Sequence, residues 1–205
     1  MKKREDFKFC YHFIPRTVKR PDCHKSIYFN RFPKKDGTQW TQAMTPDDPW
    51  IQELAVELEK KIGNKSDKYK AGYILKLVQY GYKYQSDTKT FGEERWAFPV
   101  CTAYLHAGDC EDGALLGASL SYLLGLDVIM IHKEGHALYG VNVRGFGMRY
   151  KFEDTSYLIC ETTGIYPIGI SMHDRAYIKG YKFWKMDADY IEKHTYVGSF
   201  DNLRL

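Results

Sequence analysis

A thiol, an imidazole and a carboxylate stand in three separate stretches of this sequence: Cys110 in GDCEDGALLGASL, His136 in EGHALYG and Glu161 in ICETTG. A cysteine attacks a carbonyl carbon as its thiolate, so a nucleophilic cysteine needs something that lowers its pKa and a base that takes its proton. Cys110 leads into a run of small and apolar residues, 111–124, that reads as a buried helix. A helix N-terminus presents unpaired N–H groups and the positive dipole end, and both favour a thiolate. His136 heads an expected strand between Gly135 and Ala137, whose small size leaves the imidazole accessible. Glu161 falls on the next expected strand, where an antiparallel neighbour brings it beside His136 and lets it hold the ring in one tautomer. The three positions are 26 and 25 residues apart. Each alone has a plainer reading, as a buried thiol, a structural histidine or a solvated acid. Together, each in a suitable element, they point to covalent acyl transfer with Cys110 as nucleophile, His136 as base and Glu161 as orienting acid. Tyr104 and Trp96 are the candidates to assist the Cys110 backbone N–H in an oxyanion hole.

The acids around the thiol pull the other way. Asp109, Glu111 and Asp112 surround Cys110 with negative charge, which raises a thiol pKa. Two readings account for them. Acids in a first helical turn complement the dipole and accept its N–H groups. Clustered carboxylate oxygens also suit a hard cation such as Ca²⁺, which needs further oxygen ligands. Calcium is therefore the one ion expected as an option, with no cofactor required.

Other clusters compete less well. Cys10, His12, Cys23 and His24 supply four zinc-type ligands, but the adjacent Cys23-His24 pair fits one tetrahedral ion poorly. Cys101, His106 and Cys110 offer another metal set that leaves His136 and Glu161 unexplained. The stretch RGFGMRYK at 144–151 has the aromatic and basic content of a nucleic-acid contact. A loop rimming a cleft explains it as well, so nucleic acid is not an expected partner.

The elements that must position these residues are legible in part. TPDDPWIQELAVELEKKIG starts a helix with Asp47 or Asp48 as cap and Pro49 in the first turn, buries Ile51, Leu54, Ala55 and Leu58, and ends at Gly63. A second helix, 66–82, opens on Ser66 and Asp67 with Tyr73, Ile74, Leu77 and Val78 inward. A polar loop is expected over 83–95. After the helix at 111–124, capped by Gly125, DVIMIHK and HALYGVNV form a hairpin about Glu134-Gly135. A loop at 144–153 precedes a third strand, SYLICETT, and the tail from 172 gives no clear signal. Helices first, then a helix feeding an antiparallel sheet, predicts an α+β fold.

The totals suit one catalytic domain at 46–205 with an extension at 1–45 of irregular structure and short strands. A chain of 205 residues with 44% hydrophobic and 27% charged content can bury one sizeable core. The net charge of +4 is too mild to imply a polyanionic partner. Five cysteines, an odd number, suit free thiols in a reducing compartment. With no apolar run long enough for a membrane span and no secretion-type leader, a cytoplasmic protein without a membrane partner is expected.

The order Cys-helix, His-strand, acid-strand resembles the transglutaminase-like superfamily, and in particular its small stand-alone domain proteins and bacterial transglutaminase-like cysteine proteinases. Gly108, Asp109, Cys110, Glu111, Asp112 and Ala114 match the family's GDCED-A. Leu123 to Leu126 and Val128 match LL--LG--V, while Gly135, His136, Ala137, Gly140 and Val141 match GHA-xGV. Glu161, Thr162 and Thr163 match its ETT. FPVCT at 98–102 is similar to YP-ET, and Val78, Gln79, Tyr84 and Asp87 echo VQ---Y--D. The resemblance covers about residues 50–171. It implies a papain-like core with the nucleophile helix packed on the sheet, and a protein or peptide substrate. It implies the same three roles for Cys110, His136 and Glu161, and calcium dependence in some relatives through the acidic motif. Two departures stand out: many members have Asp at the position of Glu161, with Asp154 as an alternative acid here, and Cys101 replaces the acid of YP-ET. On these grounds the expected activity is that of a cysteine protease or amidase, hydrolysis being favoured over crosslinking. The alternative is a silent fold that serves as a binding or structural module.

Overall fold

Asp48 begins the first helix, accepting the N–H groups of Trp50 at 2.9 Å and Ile51 at 3.4 Å, with Pro49 in the first helical position. This α1, Pro49–Ile62, buries Ile51, Leu54, Ala55, Leu58 and Ile62, and ends where Gly63 takes φ 66°. Ser66 accepts the N–H of Tyr69 at the start of α2, Asp67–Gly81, and Tyr73, Ile74, Leu77 and Val78 lie inward. Both helices follow their sequence patterns. The computed structural model describes residues 41, 43–92, 96–133, 135–171 and 181–194. Residues 1–40 and 42 of the extension expected at 1–45, and with them the zinc-type set Cys10, His12, Cys23 and His24, lie outside the described residues.

The stretch expected to be a polar loop carries short structure. After β1, Lys83–Tyr84, comes a single-turn helix α3, Asp87–Phe91, closed by Gly92 at φ 82°. A further helix that the sequence pattern did not suggest, α4, Pro99–Leu105, follows. Its residues from Pro99 to Ala103 are all buried, so they show no apolar period. The strand β2, Ala107–Gly108, pairs in parallel with β1. Flanking bonds extend that pairing: Lys83 N–H donates to His106 O and Gln85 N–H to Gly108 O, each at 2.8 Å. The end of α2 is thereby tied to the chain just ahead of Cys110.

The central helix α5, Cys110–Leu123, is buried continuously from Glu111 to Ser121. It lies between two layers. Ala114, Leu115 and Ala118 pack on Val128, Met130, Tyr139 and Leu158 of the sheet. Leu116, Leu120 and Leu124 pack on α1, α2 and α4. Burial on both sides is why GALLGASL reads as a run without a period.

The sheet has the order β5-β6-β4-β3-β7 and is antiparallel throughout. Its central hairpin, β3 at Val128–Lys133 and β4 at His136–Val141, is the expected one. The third expected strand is β6, Thr155–Cys160. Arg149–Phe152, expected as loop, forms β5, because its aromatic and basic residues alternate between half-buried and exposed. The tail adds β7, Lys182–Lys185, and α6, Ala188–His194, whose Tyr190 and Ile191 join the core between α5 and the sheet. The architecture is α+β with the Cys110 helix packed on an antiparallel sheet. Among the described residues no helix is long and apolar enough to cross a membrane.

Two glycines test how tightly the layers meet. A Cβ added at Gly117 on α5 would lie 2.5 Å from the buried ring of Tyr139, whereas one at Gly72 on α2 would meet Ile168 at an ordinary 3.8 Å. Replacing a helical glycine by alanine gains about 1 kcal/mol from backbone propensity. Overpacking costs about 1–3 kcal/mol. Denaturant unfolding is therefore expected to find Gly72→Ala neutral or stabilised and Gly117→Ala destabilised. A stabilised Gly117→Ala would contradict the close helix–strand contact.

Candidate active site

The nucleophile candidate sits where α5 leaves the core. Asp109 is the N-cap position and Cys110 the first helical residue, half-buried. The first turn is held by groups from outside the helix. Tyr82 Oη donates to the Asp109 carbonyl at 2.8 Å. Asp112 accepts the N–H of Ala97 at 2.8 Å through Oδ1 and that of Asp109 at 3.4 Å through Oδ2. Asp109 Oδ2 in turn accepts the N–H of Asp87 at 3.4 Å. Gly113 admits these neighbours, since a Cβ there would lie 2.5 Å from Tyr82 Oη and 3.0 Å from Thr162 Oγ1.

Cys110 Sγ donates to Glu111 Oε2 at 2.9 Å. Burial, then the Glu111 charge, push the thiol well above its usual range, against the N–H of Ala137, which hydrogen-bonds the sulfur and lowers it. The helix dipole alone argues for a thiolate here, but desolvation and the adjacent carboxylate prevail. The Ala137 contact matters for geometry as well, because it sets the sulfur against the residue that follows His136.

His136 and Glu161 form a buried pair, Nε2 to Oε2 at 2.9 Å. The register Tyr139↔Cys160 carries β4 and β6 past one another. Continued by one residue, it sets Glu161 diagonal to His136, not opposite it. A glutamate spans that diagonal, which gives the extra methylene its use. Glu161 Oε1 accepts from Thr163 N–H at 3.0 Å and Thr163 Oγ1 at 2.7 Å, and Oε2 also accepts from Ser171 Oγ at 2.9 Å. Burial works to raise the Glu161 pKa, yet the His136 and Thr163 interactions outweigh it and bring it to about 2. An ionised Glu161 requires the proton on Nε2, so the basic nitrogen of a neutral His136 ring is Nδ1.

The remaining sequence candidates fall differently. Trp96 is buried in the cluster that Cys110 packs against, its indole edge-on to His132 at 6.4 Å. Tyr104 on α4 is exposed. Asp154, the alternative acid, is fully exposed at the β5–β6 turn, 3.7 Å from Lys151. Cys101 faces the helical core on the other side of α5. Among the described residues, the ligating groups that come together are Asp109-Cys110-Glu111 and Asp87-Asp109-Asp112. The expected trio Asp109, Glu111 and Asp112 is thus divided between two sets, and Asp87 joins the second. Burial first, then mutual repulsion, raises Glu111 and Asp112 well above the usual carboxylate range, and burial raises Asp109. Asp109 Oδ1 is buried with no hydrogen-bond partner.

Three contributors carried no readable role in the sequence: the Ala137 N–H, Ser171 and His132. His132 is the cross-strand partner of Ala137, and its ring lies 6.4 and 6.3 Å from Trp96 and Trp184. Burial, then Lys182 and His136, bring its pKa down to about 4.

No family model and no curated protein matches the chain. Solved structures do, among them that of a "putative cysteine protease" from Cytophaga hutchinsonii, at 17% identity and a TM-score of 0.43. The match covers 78% of this chain and 54% of that one, so this chain spans about half the length of that solved chain. At that level of similarity the match carries no argument about chemistry.

The Glu161 interactions set an acid limit on stability. A carboxylate held at about 2 against an ordinary 4.5 stabilises the fold fully above about pH 4.5 and loses that contribution as pH falls toward 2. The contribution is on the order of 3 kcal/mol. Thermal melts of the wild type and Glu161→Gln from pH 7 to pH 2 should converge at the acid end. Parallel curves across the range would exclude a strongly depressed Glu161.

Proposed function

We propose that this chain is a thiol-dependent enzyme that cleaves peptide or amide bonds. The observation that carries the reading is the 2.9 Å His136–Glu161 pair with the Cys110 sulfur set against the adjacent Ala137 N–H. In this reading the Cys110 proton passes to His136 Nδ1 and the sulfur attacks the substrate carbonyl carbon. The resulting oxyanion is met by the Cys110 N–H, one of the unpaired donors of a helix start. Collapse breaks the C–N bond, and the amine leaves with the proton held by His136. A water molecule, deprotonated by the same imidazole, attacks the thioester, releases the acid and restores the thiol. Glu161 keeps Nε2 protonated and offsets the imidazolium charge throughout. Hydrolysis, rather than crosslinking, is the fate of the thioester in this reading. The substrate in this reading is a protein or peptide.

The silent-module reading draws on one observation, the Cys110–Glu111 hydrogen bond, which holds the thiol protonated. The sulfur proton must turn from Glu111 to His136 before any attack. Labelling with iodoacetamide separates the two readings. Cys110 should be alkylated faster than a free thiol at neutral pH, Cys110→Ala should lose the label, and His136→Ala should slow it at least tenfold. A wild-type rate no faster than a free thiol, together with no effect of His136→Ala, would select the silent module.

Calcium is the second part of the proposal. The buried, unpartnered Asp109 Oδ1 within the Asp87-Asp109-Asp112 set suits an oxygen-seeking cation. Asp87, Asp109 and Asp112 would hold it, and its charge would offset the repulsion that keeps the thiol neutral. Millimolar calcium should raise the melting temperature of the wild type, with a smaller shift in Asp109→Asn. No shift in either protein would remove calcium from the proposal.

A further inference from the structure

Gln79 lies near the end of α2, 82 and 87 residues before the two groups it touches. Its Nε2 donates to the carbonyl oxygen of Glu161 at 2.8 Å and to that of Tyr166 at 2.9 Å. Its Oε1 is buried and accepts no hydrogen bond. The amide orientation follows from this, because the flipped form would set Oε1 against two carbonyl oxygens. A buried acceptor is left unmatched so that both donors reach the segment 161–166. The carboxylate of Glu161 is aimed by Thr163 and Ser171, but its backbone is clamped from a helix that packs on α5.

We propose that Gln79 is the positioning residue for the triad acid: it fixes the Glu161 backbone against the helical layer, and through Glu161 the His136 ring. The proposal rests on the reading of Cys110, His136 and Glu161 as a catalytic triad. Gln79 does not touch the reacting atoms. It joins the acid, which follows a sheet strand, to the helical layer that carries the nucleophile. A carboxylate that drifts by about 1 Å lets the ring leave its productive orientation, and misplacement on that scale can cost about 100-fold in rate.

The test uses Gln79→Glu, which keeps the shape but has no donor when ionised and one when protonated, and Gln79→Met, which removes both donors without adding charge. Two readouts are taken on folded protein: the NMR resonance of the His136 Nε2 proton donated to Glu161, and the rate of Cys110 alkylation by iodoacetamide. Both variants should shift or broaden that resonance and slow alkylation about tenfold or more, with circular dichroism unchanged. An unaltered His136 resonance in both variants, with wild-type alkylation, overturns the proposal. If the wild type itself alkylates no faster than a free thiol and His136→Ala changes nothing, the enzyme reading fails. The His136 resonance still decides whether Gln79 positions the acid.

Discussion

The fold is organised by the enclosure of one helix. With α5 buried from Glu111 to Ser121, Cys110 stands where this helix emerges from between the two layers. A helix end brought close to the core needs partners for groups that water would otherwise satisfy. Tyr82, Ala97 and Asp87 supply them, one from the end of α2 and two from the connection to α4. The parallel β1–β2 pair has the same purpose, since it fixes the chain that enters the helix. Much of the minor structure between residues 82 and 109 therefore answers to the first turn of α5.

Carboxylates are used in two opposite ways on either side of the sulfur. Glu161 sits among donors from three residues, so burial strengthens its bonds and it stays ionised. The acids of the helix start sit among one another, so burial there favours the neutral forms. The same residue type, equally removed from water, takes the state its neighbours dictate. The sulfur lies between these two environments, hydrogen-bonded to an acid of one and met by the N–H of Ala137, the residue that follows His136.

How much of this is legible in the sequence depends on the range of each interaction. The caps at Asp48 and Ser66 are local and readable, as is the β3–β4 hairpin. Glu161 is readable as a partner of His136 because strand order follows from a hairpin and one further strand. The helix α4 is hidden because most of it is buried, and β5 because its residues resemble a loop. Asp112 illustrates a deeper limit. Its place in the first turn is visible, but its reach to Ala97 joins two segments that no period links. Ser171 and Gln79 reach Glu161 from 10 and 82 residues away, and although Gln79 falls in a motif, nothing local in the sequence aims either of them at Glu161.

The placing of His132 between two indoles has an optical consequence. Trp96 and Trp184 flank its ring at 6.4 and 6.3 Å, on the sheet face that Cys110 packs against. A protonated imidazole quenches indole emission by accepting an electron from the excited ring, and a neutral one does so weakly. Since burial holds His132 neutral until pH approaches about 4, the fluorescence of this pair reports its protonation. The protein thus carries an intrinsic, label-free probe of the local field beside His136.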